Sequence, residues 1–375
     1  MFAHEAAAGD TIPEAVAWVR LQQVERVGVE TARRLLNRFG LPENIFRAGL
    51  TELIEVVGPN IARALRASPD AATQRLLERT MAWLSLPGNQ IITLADPRYP
   101  QALLTIHDPP ILLYAKGRIA LLQAPCIAVV GSRNATAQGV LNAEDFSAEL
   151  SAAGLTIASG LALGIDAAAH RGGLRHQVAS TIAVIGTGID IIYPYRNREL
   201  AHQIATEGCI ISEYPLGTPA IASNFPRRNR LISGLSRAVL VVEAAEQSGS
   251  LITARVATEQ GRDVFATPGS IHSPLAKGCH QLIKLGAKLI ESAQDVLEEF
   301  TLTSISAPPT GICNAEPTEF SALLEALGYD PVDGDALAAR TGLDAAALSA
   351  GLFELELAGQ VEILAGGRYR RLHAG

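Results

Sequence analysis

The 375-residue chain predicts an α/β protein: a doubly wound parallel sheet, with a small all-α domain before it and a winged helix after it. Three observations carry this reading. Seven short, largely apolar runs, at 126–130, 155–158, 181–185, 209–212, 238–242, 263–267 and 288–290, alternate with amphipathic helical stretches. Runs so short and continuous belong to strands buried on both faces, and the stretches between them supply the crossovers that parallel strands need. Glycine- and serine-rich motifs follow the runs directly, where the loops of such a sheet fall.

Composition sets the limits. With 48% hydrophobic and 18% charged residues the chain has the make-up of a globular protein, and its length suits two or three domains. No window offers the ~18 uncharged apolar residues of a membrane span. The opening MFAHEAAAGD has no basic stretch ahead of an apolar run, so a secretory signal is not expected. Cys126, Cys209, Cys279 and Cys313 show neither metal nor disulfide spacing, and a reducing cytoplasm is the expected location. A formal net charge of −7 argues against a polycation that coats DNA, yet permits a local basic pocket.

Residues 1–88 read as helical. VERVGVETARRLL (24–36) and IEVVGPNIARALR (54–66) repeat one unit: an apolar run, a glycine (Gly28, Gly58), then a helix with Ala32 and Leu35, or Ala62 and Leu65, on one face. The pair is similar to a tandem helix-hairpin-helix, or SAM-like, module, whose hairpin amides touch DNA phosphates. A small bundle used for packing or protein contact has the same pattern.

Residues 89–302 form the sheet domain, with 89–125 an irregular lead-in carrying one strand at ILLYAKG. A Ser/Pro/Gly-rich linker spans 303–316. Residues 317–375 then run helix, two helices around TGL, and two strands joined by Ala365, Gly366 and Gly367, the order of a winged helix. From Glu316 onward there are ten acidic residues against four arginines, and the stretch 344–358 has no Lys or Arg. A helix so charged is repelled by the phosphate walls of a major groove, which points this domain to protein contact or regulation.

In open parallel sheets ligands sit beyond the carboxyl ends of the strands, where strand order reverses. Gly131, Ser132 and Arg133 follow the first run, Ser159 and Gly160 the second, and Ser248, Gly249 and Ser250 the fifth. The densest motif, NFPRRNR, supplies Asn224, Phe225, Arg227, Arg228, Asn229 and Arg230 after the fourth. All must meet on one rim. Exposed amides, arginine forks and one aromatic suit a polymer of phosphates with unstacked bases. A dinucleotide fingerprint is absent, since GSR lacks its further glycines and Gly186-Thr187-Gly188 lacks a third, and no Gly-Lys-Ser/Thr occurs. Neither cofactor nor metal is expected. Asp166 and His170, at i and i+4, read as a structural brace because no third ligand lies nearby. Of Arg227, Arg228 and Arg230, one is expected to face the sheet or pair with Glu213 or Glu243 and two to meet phosphate. Phe225 either stacks on a base or plugs the core ahead of Pro226, and Ser248 and Ser250 either bind or cap the next helix.

GSRNATAQG, ASGLALGIDAAAH, TIAVIGTGIDIIYP, ISEYPLGT, NFPRRNRLISGLS, AVLVVEAAEQSGSLITARVATEQGRDVFATPG and GCHQLIKLGA together resemble, in order, the DprA (Smf) family of bacterial DNA-processing proteins. The resemblance implies an extended Rossmann-like core that binds single-stranded DNA, loads the RecA recombinase on it during natural transformation, forms a homodimer through that core, and has no catalytic residues. It further implies phosphate contacts from Ser132 and Arg133, a second loop at Ser159 and Gly160, a strand held by Phe225 to Arg230, and a rim closed by Ser248 to Ser250. His280 departs from the family's usual asparagine. Two other readings remain: a nucleotide hydrolase of the phosphoribohydrolase type, which would need PGGxGT where this chain has Thr267-Pro268-Gly269-Ser270, and a protein-binding scaffold.

Overall fold

A computed structural model describes residues 11–176, 179–300, 321–328, 331–364 and 366–372, so the expected linker and Cys313 lie outside the described residues. Five helices come first: α1 (Thr11–Gln23), α2 (Val29–Phe39), α3 (Pro42–Arg47), α4 (Leu50–Arg66) and α5 (Ala71–Leu84). Gly28 caps the start of α2, and Gly58, at φ +79°, breaks α4 so that its second half restarts at Pro59. Ala32, Leu35, Ala62 and Leu65 are all buried. Asp70 caps α5 by accepting the Thr73 N–H at 2.7 Å. The helices do not stand apart from the sheet. Trp18, Val19 and Leu21 share one apolar cluster with Leu112, Tyr114, Ala183 and Ile210, and Gln22 Nε2 donates to the Glu213 carbonyl at 2.8 Å.

Two strands, not the single one expected, lead into the sheet: β1 (Asn89–Thr93) and β2 (Leu112–Gly117), paired antiparallel. The seven expected parallel strands follow. They are β3 (Cys126–Val130), β4 (Thr156–Ser159), β5 (Thr181–Val184), β6 (Cys209–Ser212), β7 (Ala238–Val241), β8 (Asp263–Ala266) and β9 (Lys288–Leu289). Between and after them run α6 (Ala137–Ala152), α7 (Ile165–Leu174), α8 (Arg198–Glu207), α9 (Asn224–Leu235), α10 (Gly249–Glu259), α11 (Lys277–Lys284) and α12 (Ala293–Glu299). The nine strands are ordered β1-β2-β6-β5-β4-β3-β7-β8-β9. β3, β4, β5, β6 and β7 are buried along their whole length, and apolar clusters lie on both faces of the sheet. The architecture is a doubly wound α/β sheet.

The last described unit comprises α13 (Ser321–Leu327), β10 (Val332–Asp333), α14 (Gly334–Thr341), α15 (Ala345–Leu357), β11 (Val361–Leu364) and β12 (Arg368–Arg371). Its strands pair in the order β10-β12-β11, and Asp333 and Asp344 cap α14 and α15. This is a winged helix, with its own core around Leu327, Leu337, Leu352 and Leu355. Among the described residues no helix is long and apolar enough to cross a membrane.

Candidate nucleic-acid interface

From β3 the chain winds outward through β4, β5 and β6, then α9 carries it back to β7 on the other side of β3. The connections that leave the carboxyl ends of β3 and β7 therefore diverge, and ligands of doubly wound sheets bind in such a crevice. A cavity of about 450 Å³ opens there. It is lined by Gly131, Ser132, Arg133, Asp166, Phe225, Arg228, Asn229 and the Ser248–Gly249–Ser250 turn. The motifs after β3, in α9 and before α10 thus meet, as the topology requires.

The rim amides are not equally open. At the start of α6 the Glu243 carboxylate accepts the Thr136 N–H at 2.9 Å and the Thr136 hydroxyl at 2.6 Å. It fills the space beside Gly139, where a Cβ would overlap it. Burial pushes the Glu243 carboxyl up and the Thr136 hydrogen bonds pull it back. In the β4–α7 loop, Asp166 Oδ2 accepts the N–H groups of Gly160 and Ala162 at 3.2 and 3.3 Å. Two anion sites of the rim are therefore filled by the protein's own carboxylates. The third is open. Ser248 caps α10, its hydroxyl 2.7 Å from that of Ser250, and nothing approaches the position of a Cβ on Gly249. The N-terminus of α10 faces the cavity with its partial positive charge.

NFPRRNR is not a loop. It forms the first two turns of α9, and the helical period sorts its side chains. Asn224 Nδ2 donates to the Gly186 carbonyl at 3.1 Å, tying α9 to the loop after β5. Arg227 is exposed and Asn229 half-buried. Arg228 and Arg230 are buried. Arg228 Nη1 donates to the Val184 carbonyl at 2.6 Å and forms part of the cavity floor. Burial lowers its pKa to about 10, against the pull of Asp166. Arg230 turns away from the cavity. It pairs with Glu213 and has its Nε 3.0 Å from Asp108 Oδ2. One arginine turned to the sheet or to a carboxylate was expected, and there are two: Arg228 on the Val184 carbonyl and Arg230 on Glu213, which leaves Arg227 the exposed one of the three.

Ser159 and Gly160 need correction as direct contacts. The Ser159 hydroxyl donates to the Val129 carbonyl at 2.7 Å inside the sheet, because a serine at a strand end must satisfy its hydroxyl once buried. Gly160 is the residue that lets Arg228 pass: a Cβ there would overlap its guanidinium. Ser132 is buried too, its Oγ accepting the Asn134 N–H at 3.1 Å. Asp166 and His170 brace this loop. His170 Nε2 accepts the Leu161 N–H at 3.2 Å and Nδ1 lies 2.7 Å from Thr181 Oγ1, so both ring nitrogens are occupied.

Arg133 is different. It is exposed, and among the described residues it makes no hydrogen bond or ion pair; its guanidinium carbon lies 6.0 Å from the centroid of the Phe225 ring. Phe225 is half-buried on the cavity wall, against Gly186, rather than in the core. Its ring meets Tyr193 at 5.4 Å between centroids, and Tyr193 is half-exposed. Tyr193 is a residue that sequence reasoning did not place in the site. The signal it passed over was a tyrosine on a loop after a strand, on the rim already assigned. The resulting cluster holds one free guanidinium, two partly exposed rings and an open helix terminus around one crevice, a set suited to phosphates and bases together.

Residues 90–301 match the family model described as DNA recombination-mediator protein A, and residues 307–367 match that of the DprA winged helix domain. The protein named Smf from Synechocystis is 38% identical, over 96% of this chain and 99% of its own. The solved DNA processing protein A of Streptococcus pneumoniae superposes with a TM-score of 0.64 at 38% identity, covering 76% of this chain and 97% of that one. DNA processing protein A of Helicobacter pylori, described for its single-stranded DNA binding mode, superposes with a TM-score of 0.52 at 32% identity, covering 56% and 95%.

Proposed function

The chain belongs to the DNA recombination-mediator protein A family, the DprA or Smf DNA-processing proteins, and from that premise we propose that it binds single-stranded DNA along the crevice between β3 and β7. The observation that carries the proposal is Arg133, an exposed guanidinium without a carboxylate, beside Phe225 and Tyr193. In this reading Arg133 and the α10 terminus at Ser248, Gly249 and Ser250 grip phosphates, with Arg227 and Asn229 along the track. Phe225 and Tyr193 stack on unpaired bases, which a duplex keeps inside its own stack. Arg228 and Asn224 hold the floor in shape. The bound strand is then handed to RecA by a homodimer formed through the core in the cytoplasm, where the exposed Leu285 and Leu289 offer an apolar surface in 278–290. No chemical step is included. Asp166 Oδ2, both ring nitrogens of His170 and both oxygens of Glu243 are engaged in bracing loops, which speaks against a free acid or base among the described residues of the crevice. The relative from Helicobacter pylori, described as binding single-stranded DNA, supports the same reading.

Fluorescence anisotropy of the full chain with labelled single-stranded and duplex oligonucleotides, across a salt series, tests the proposal. Single strands are expected to bind much more tightly, with an affinity that falls steeply with salt. Equal affinity for duplex, or no binding at low salt, overturns it. Release of free base from nucleoside monophosphates would replace it with a hydrolase.

A further inference from the structure

The winged helix carries a surface that strand binding does not use. Along α15, Ala346, Ala350, Phe353 and Leu357 fall at i, i+4, i+7 and i+11, which places them in one stripe. All four are exposed; Phe353 keeps 58% of its surface open and Leu357 70%. Two large apolar side chains this open on one short helix are unusual in a domain that buries Leu348, Leu352 and Leu355 on the opposite face. Ile363 on β11 adds a third exposed apolar group to the domain. Glu354 and Glu356 stand on the two sides of the stripe, and α15 has no basic residue. In a DNA-reading winged helix this helix would enter the major groove, where two carboxylates beside an apolar stripe meet phosphate walls.

We propose that this face of α15 docks an amphipathic helix of a partner protein, one whose apolar stripe is flanked by Lys or Arg. An apolar stripe at this spacing packs against a matching stripe on a partner helix, as along the seam of two paired helices. The flanking glutamates set the sign of the partner's charges and orient its approach. The chain's own undescribed segments are not complementary to it: residues 1–10 and 301–320 contain no Lys or Arg and hold Glu5, Asp10, Glu316 and Glu319. The inference stands apart from the strand-binding reading, since none of its residues lines the crevice.

The test uses the full chain and a fluorescein-labelled designed helical peptide with a leucine stripe flanked by lysines. Two controls accompany it: the same peptide with glutamates for the lysines, and one of identical composition with the leucines scattered. The lysine-flanked peptide is expected to bind best, and either Phe353→Ser/Leu357→Ser or Glu354→Lys/Glu356→Lys to weaken it about tenfold or more, which is about 1.4 kcal/mol. These side chains are exposed, so unchanged far-ultraviolet dichroism is expected in both variants. Equal binding of the scattered peptide, or no effect of the variants, overturns the proposal. So does loss of duplex DNA binding in Phe353→Ser/Leu357→Ser, which would make the face a DNA surface. A change in its sedimentation, marking contact with a second copy, overturns it as well.

Discussion

The guanidinium of Arg228 passes over Gly160 so closely that the glycine has no room for a side chain, because a Cβ there would overlap the guanidinium itself. Gly160→Ala must therefore push Arg228 off the Val184 carbonyl, and the variant is expected to lose about 1–3 kcal/mol of stability, with weaker single-strand binding. Denaturant unfolding checks the first part and anisotropy the second. Wild-type values in both would show that Arg228 does not hold the cavity floor.

Arg133→Ala should leave stability unchanged, since the side chain makes no hydrogen bond or ion pair among the described residues. Its affinity for single strands should fall alike for all sequences, and the slope of log affinity against log salt should flatten by about 0.7 for one lost phosphate contact. A variant with the wild-type slope would exclude Arg133 from the phosphate track.

Phe225→Ala and Tyr193→Ala should each cost about 1–3 kcal/mol of binding if a base stacks on them. Because the two rings touch, the double variant should lose less than the sum. Strict additivity, measured by titrating all three variants with one oligonucleotide, would separate the rings into independent sites.

Arg230→Met leaves the buried Glu213 carboxylate without its arginine. The expected loss is about 3–5 kcal/mol of folding stability, and Glu213→Gln in the same chain should restore much of it. Thermal and urea unfolding measure both. Normal stability in Arg230→Met alone would contradict the structural role assigned to this arginine.

His170 titrates in the acid direction. Burial, helped by Arg228, lowers its pKa from the usual 6.5 to about 3, so the folded protein keeps the ring neutral while the unfolded chain takes up a proton. The associated stability is present above pH about 6.5 and is lost as pH falls towards 3, with a slope of up to about 1.4 kcal/mol per pH unit. Urea unfolding between pH about 5 and 6.5 should show a shallower dependence for His170→Gln than for the wild type. Identical slopes would mean the ring protonates without unfolding.

Much of this was legible in the chain. The parallel strands β3 to β7 announced themselves because strands buried on both faces must be continuously apolar, whereas β8 and β9, partly exposed, were legible from their place in the alternation. β1 did not, since Asn89 and Gln90 break its apolar pattern and it pairs on the sheet's outer edge with β2 alone. NFPRRNR was placed on the rim after the fourth strand without a helix being assigned to it, yet Pro226 lies in the first turn of α9, where its missing N–H costs no hydrogen bond. The convergence of motifs on the rim followed from topology. Which amides of the rim stay open did not, for Glu243 reaches Thr136 across more than a hundred residues and no local pattern reports such a contact. The placement of Phe225 was left between core and surface, and its neighbours Gly186, Tyr193 and Arg133 come from three other segments.

Glu243 also bears on what the crevice refuses. In related sheets the helix after the first strand seats the pyrophosphate of a nucleotide cofactor. Here that seat holds a carboxylate with two hydrogen bonds from Thr136, and a lone nucleotide would have to displace it while bringing like charge against it. A polymer is under no such constraint, because its affinity is spread over successive phosphates and bases along the rim. If the crevice takes single-stranded DNA as proposed, Glu243 is the internal competitor that would tell a strand of DNA from the abundant mononucleotides of a cell.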